Sequence, residues 1–193
     1  RVTQYRTDGE LCDRLVGRSR DAMRWLHGKG MKFDPIWGRQ AYLIDGKFKF
    51  WGGLTVESKG GGPGLMEQHL RLSAKNGIEI RYNTRGLSLI YDGKTVSGLR
   101  VKSNGNFEDI ACKSVVIACG GFESNAEMRT KYLGPGWELA KVRGTPYNTS
   151  AGISMALAIG ASSVRNWSAS HAGRWAYNAP DFGDRAVGGH VQK

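Results

Sequence analysis

Apolar positions along the chain fall into distinct periods. Between residues 8 and 27, Leu11, Leu15, Met23 and Leu26 recur at roughly helical spacing, which predicts an amphipathic helix with Asp8 as N-cap and Gly28 as its stop. A second helix is predicted where Met66, Leu70 and Ala74 recur every four residues, opened by Gly60-Gly61-Gly62-Pro63-Gly64 and closed by Asn76-Gly77. The period then drops to two in Ile78-Glu79-Ile80-Arg81-Tyr82, a predicted strand. Three further strands are expected near residues 87–91, 96–101 and 107–111, separated by Asp92-Gly93 and Asn104-Gly105, two strong hairpin signals. Residues 114–119, Ser-Val-Val-Ile-Ala-Cys, show no alternation. A continuous β-branched run of this kind predicts a parallel strand buried on both faces.

The intervening stretches are less regular. Residues 30–59 are rich in glycine and aromatic side chains, with turn signals at Asp34-Pro35 and at Asp45-Gly46, the latter a hairpin candidate. Residues 125–133 can form a short helix capped by Ser124 or Asn125 and ended by Gly134-Pro135-Gly136. A polar loop over residues 144–152 leads into a small-residue helix at 153–159, stopped by Gly160. Such a loop at a helix N-terminus is a natural anion site, although most helices begin after one. Gly120-Gly121 follows the continuous apolar run and has two readings: a tight turn, or the place outside the carboxyl end of a strand where phosphate or ribose approaches the backbone.

Composition narrows the picture. The chain has 193 residues, enough for a real core, with 28 Lys+Arg against 17 Asp+Glu for a net charge of +11. The charge is dispersed: Arg14, Arg18, Arg20 and Arg24 share their stretch with Asp8, Glu10, Asp13 and Asp21, and the remaining cations are scattered singly. That distribution fits a mixed-charge surface or a cleft for a small acidic molecule, and it lacks the basic helix or aromatic motif of a nucleic-acid binder. The 28 glycines come with only 5 prolines and no repeat, so they point to close backbone approach or tight turns. The longest purely apolar stretch, residues 115–119, is far short of a membrane span. The N-terminus has neither Met nor an apolar core of a signal peptide. Cys12, Cys112 and Cys119 are odd in number and lack CxxC spacing, which suits a reducing, cytoplasmic setting and gives no metal site.

Three segments, taken together, carry a family resemblance. Residues 114–122 end in Ala118-Cys119-Gly120-Gly121-Phe122, residues 148–153 read Asn-Thr-Ser-Ala-Gly-Ile, and Gly160-Ala161 is followed ten residues later by His171. In that order they resemble the strand end "VVLATGGF", the loop "NTGDGI" and the "GA…QxHPT" segment of the flavoprotein subunits of succinate dehydrogenase, fumarate reductase and L-aspartate oxidase. Within that family the chain looks most like the tricarballylate dehydrogenases, through Gly38-Arg39-Gln40, residues 48–57 and residues 132–137.

The resemblance implies an α/β fold: part of a Rossmann-like FAD-binding domain with an antiparallel β-meander over residues 1–165, plus the start of a capping domain at 166–193. It implies an FAD enzyme that moves a hydride between flavin and a di- or tricarboxylate, with an electron acceptor or donor that the residues do not identify. By position, Arg85 and Gly86 match the contact to the adenine end of FAD. Ala118, Cys119, Gly120 and Gly121 match contacts to its ribose and pyrophosphate, and Asn148, Thr149, Ser150, Ala151 and Gly152 match the second FAD loop. His171, which read alone is a surface-loop histidine, matches the histidine that binds a substrate carboxylate. No catalytic acid or base is identified.

The departures carry information as well. Ser150 and Ala151 stand where the family has Gly-Asp, removing a carboxylate that could accept hydrogen bonds from the cofactor. Cys119 stands for threonine, and Ala172-Gly173 for Pro-Thr. The dinucleotide fingerprint GxGxxG is absent: Gly60 to Gly64 lack a preceding strand, and Leu65 and Glu67 stand where the third glycine would be. The chain is therefore expected to be an internal fragment, inactive alone, with apolar strand edges that favour self-association. A rival reading from another class is a non-catalytic module binding anions or nucleic acid through the +11 charge and its six Trp, seven Tyr and six Phe.

Overall fold

The computed structural model describes residues 7–50, 55–164, 166–170 and 178–184. They form two units, residues 1–81 and 82–193.

In the first unit, α1 spans Gly9–Gly28, and the Asp8 side chain accepts from the Leu11 N–H as expected of its N-cap. The apolar stripe of α1 stays largely exposed at Leu11, Leu15 and Trp25, whereas Met31, just beyond it, is buried. Phe33–Pro35 (β1) pairs antiparallel with Val56–Ser58 (β4). Between them lie a short helix, α2 (Trp37–Gln40), which the sequence did not signal, and the expected hairpin of Ala41–Ile44 (β2) with Lys47–Phe50 (β3). Asp45 and Gly46 both take positive φ (51° and 73°), the conformation a two-residue turn of matching twist requires.

Helix α3 (Gly61–Lys75) fastens this unit through one polar side chain. Gln68 is buried, its Oε1 accepts from the Lys32 N–H at 2.6 Å, and its Nε2 donates to Ser58 Oγ at 3.0 Å. The backbone entering β1 and leaving β4 is thereby tied to the helix. The glycines at its start have a specific task at Gly64, where a Cβ would lie 2.0 Å from the Lys59 carbonyl oxygen.

The second unit is built on the predicted meander: Thr84–Tyr91 (β5), Val96–Ser103 (β6) and Asn106–Ala111 (β7), in the order β5-β6-β7 and all antiparallel. Asn104 and Gly105 turn the second hairpin with φ of 49° and 92°. The first hairpin uses a longer turn over residues 92–95, in which Asp92 Oδ1 accepts from the N–H groups of Lys94 and Thr95. Helix α4 (Ala126–Leu133) is capped by Asn125, whose side chain accepts from Met128 N–H, and α5 (Ala151–Ala158) packs on β5. Val101 of β6 and Met155 of α5 are the buried centre of this layer.

Two predicted strands are corrected. Residues 78–82 and 114–119 form no β-ladder; Ile78, Ile80 and Tyr82 are exposed, and Val116 is 88% exposed. The two-residue period of 78–82 and the continuous β-branched run of 114–119 mark them as strand-forming, but a strand exists only when a neighbour accepts and donates its backbone hydrogen bonds, and no described segment does so. Among the described residues the parallel pairing is limited to an isolated bridge between Val142 and Phe182.

Candidate functional site

Residues 118–125 and 145–152 meet at one end of α5. Ser150 N–H donates to the Gly121 carbonyl at 2.9 Å, Ser124 N–H donates to the Asn148 carbonyl at 3.0 Å, and Asn125 Nδ2 donates to the Thr149 carbonyl at 3.1 Å. The two segments predicted to contact a cofactor, 118–121 and 148–152, are thus joined by their own backbones. Gly86 of β5 faces α5, a Cβ there lying in ordinary contact 3.6 Å from Met155, and Arg85 beside it pairs with Lys102 of β6. His171 lies outside the described residues.

Close approach also explains Gly152. A Cβ there would fall 2.3 Å from Ile117 Cγ2 and 2.5 Å from Cys119 Sγ, so the first turn of α5 can sit on residues 117–119 only with glycine at this position. Ala151 follows Ser150, which is buried, adopts a left-handed φ of 73°, and places its Oγ 3.2 Å from Ser154 Oγ.

The glycine pair has a use that sequence alone did not reveal. Gly120 has φ +80°, and a Cβ on it would lie 2.9 Å from both Cγ and Nδ2 of Asn148 and 3.0 Å from its Oδ1. The carboxamide therefore lies flat against Gly120. At Gly121 a Cβ would lie 3.0 Å from Glu123 Oε2, while Glu123 Oε1 accepts from Asn148 Nδ2. The pair makes room for an amide and a carboxylate as much as for a ligand.

Arg129 carries no signal in the sequence that marks it as part of this site. This α4 residue is 7% exposed, and its guanidinium donates to the carbonyls of Trp137 (2.8 Å), Glu123 (2.5 Å), Glu138 (2.9 Å) and Ala140 (3.3 Å). It fixes the Glu123 backbone beside the glycines. Only its place at i+4 from the Asn125 cap could have suggested an inward-facing residue. Beside it, Phe122, Tyr132 and Trp167 form an aromatic cluster, with Phe122 and Trp167 stacked at 6.0 Å.

The chemistry of this end of the unit suits a dinucleotide. The first N–H groups of α5 have no intrahelical acceptor and favour an anion, the glycine backbone admits close approach, and the Glu123–Asn148 pair offers acceptors to sugar hydroxyls. A family model for the FAD binding domain matches residues 1–172. The chain belongs to the FAD binding domain family. FAD is therefore its cofactor. Similar proteins include the probable fumarate reductase Ifc3 of Shewanella frigidimarina, 30% identical over 162 residues, 82% of this chain and 26% of that protein. A 3-oxosteroid 1-dehydrogenase of Mycobacterium tuberculosis is 33% identical over 91 residues, 44% of this chain and 16% of that protein. Among solved structures, the open conformation of a flavocytochrome c3 fumarate reductase superposes with a TM-score of 0.66 at 27% identity, covering 83% of this chain and 28% of that one. The chain thus spans little more than a quarter, at most, of the length of these relatives. Cys12, Cys112 and Cys119 are free thiols. Among the described residues no helix is long and apolar enough to cross a membrane, and no cluster of side chains could hold a metal ion.

Proposed function

We propose that the protein carrying this chain transfers a hydride between FAD and a carbon next to a carboxylate, interconverting a di- or tricarboxylate of the tricarballylate type with its alkene. The observation that carries this reading is the docking of residues 117–121 on the N-terminus of α5 through Gly152, in a chain of this family. FAD bound there supplies the hydride acceptor or donor. The chain's own residues bind and orient: Arg85 and Gly86 at the adenine end, Ala118 to Gly121 at the ribose and pyrophosphate, and Asn148 to Gly152 as the second loop. His171 holds a substrate carboxylate. Residues 1–165 belong to the FAD domain, and 166–193 begin the capping domain. An electron carrier completes the cycle, and strand-forming segments such as 114–119, unpaired here, favour self-association.

A second reading is favoured by the 3-oxosteroid dehydrogenase relative: hydride transfer to or from a ketosteroid, with the Ser150-Ala151 loop marking the change of substrate. Anaerobic reduction of the FAD-loaded protein, followed by reoxidation with fumarate, aconitate or a steroid dienone, separates the two. The polycarboxylate reading expects the flavin absorbance to return with an unsaturated di- or tricarboxylate and not with the steroid. Reoxidation by the steroid alone would replace it with the second reading.

A further inference from the structure

The Glu123–Asn148 pair does more than brace a loop. An ionised carboxylate only accepts hydrogen bonds, so the group of Asn148 facing Glu123 must be its NH2. The carboxamide is clamped flat on Gly120, and Oδ1 therefore faces away from Glu123. Among the described residues no donor reaches that oxygen.

We infer that Glu123 is a positioning residue for the FAD site: it fixes the Asn148 amide so that Oδ1 is presented as the acceptor for a ribose or ribityl hydroxyl. Arg129 holds the Glu123 backbone from behind, so the carboxylate starts from a fixed point. The negative charge of Glu123, passed through the Asn148 amide, suits a hydroxyl donor at Oδ1. The inference rests on the flavin reading of the site.

A double-mutant cycle in the protein carrying this chain tests it, with FAD dissociation constants from flavin fluorescence and thermal midpoints of the FAD-free proteins. Glu123→Ala and Asn148→Ala should each weaken FAD binding by about tenfold, and the double variant should be no weaker than either single one, because Glu123 acts through Asn148. Asn148→Asp places two carboxylates face to face. Its FAD binding should be weak at pH 8 and recover as the pH falls and one carboxyl takes up a proton, with the FAD-free thermal midpoint changing little over the same range, whereas a merely structural brace would move affinity and midpoint together. Should Glu123→Ala fail to fold, Glu123→Gln, which keeps the shape but lets the amide turn either way, should bind FAD two- to threefold more weakly than the parent. FAD affinity unchanged in the Glu123 variants, or an undiminished Glu123→Ala loss in the Asn148→Ala background, would overturn the inference. A parent protein that binds no FAD would instead overturn the flavin reading on which it rests.

Discussion

Gly152 and Cys119 are in contact through the missing side chain of one of them: a methyl group on Gly152 would stand 2.5 Å from the Cys119 sulfur. This contact sets the distance between α5 and the residues that precede the glycine pair. Gly152→Ala should push the helix off residues 117–119, costing about 1–3 kcal/mol as an overpacked site. The thermal midpoint should fall, and FAD affinity should fall with it. An alanine variant with parental stability would mean that the two segments are not held together as described.

Ser150 stores a small strain. A non-glycine residue at φ 73° costs about 1–2 kcal/mol relative to the right-handed region, against which the Ser154 contact returns part. Ser150→Gly should therefore keep or raise the thermal midpoint, whereas Ser150→Ala, which retains the Cβ and loses the contact, should lower it. The opposite order in a denaturation series would show that the hydroxyl contact outweighs the backbone strain.

Much of the local structure was legible because it is written in adjacent residues. Asp8 and Asn125 cap helices with their own oxygens, and Asp45-Gly46 and Asn104-Gly105 turn hairpins because they tolerate positive φ. The alternation of residues 78–82 and the β-branched run of 114–119 are both strand-forming patterns. What makes a strand is a neighbour's hydrogen bonds, which no local pattern contains. Gln68 and Arg129 were invisible for the opposite reason: buried polar residues that serve distant carbonyls and amides carry no periodic signature. The glycine pair was half read, since glycine announces close approach but not what approaches, here Asn148 and Glu123.

Arg129 gives a third prediction. Its removal strands four carbonyls, those of Glu123, Trp137, Glu138 and Ala140, and an unsatisfied buried group costs about 1–3 kcal/mol. Arg129→Met should lower stability by about 2 kcal/mol, and Arg129→Lys, which can reach only some of these acceptors, should fall between. Equal stability of the lysine variant and the parent in a urea titration would contradict the role of the planar fork.

Acid should weaken the meander. The N–H of Thr95 first, then that of Lys94, holds the Asp92 carboxyl below its ordinary value, and the Arg100 guanidinium does the same for Asp109 through a 2.7 Å hydrogen bond. Both native values are depressed relative to the unfolded chain, so their contribution is present at neutral pH and is lost as pH falls through about 4 and below. Asp92→Asn keeps an acceptor for the turn but cannot titrate. Its thermal midpoint should decline less steeply than that of the parent between pH 5 and 3, by differential scanning calorimetry, and parallel curves would exclude Asp92 as a source of the acid sensitivity.

The central claim is that residues 118–121 and 148–152 together form part of an FAD site. Titration of FAD into the protein carrying this chain, alongside Gly120→Val, tests it most directly. A valine side chain would occupy the space of the Asn148 carboxamide and meet the φ of +80° with a β-branched residue. The account predicts saturable, one-to-one binding by the parent with quenched or shifted flavin spectra, and at least a tenfold loss in the folded valine variant. Equal FAD affinity in the two proteins would contradict it.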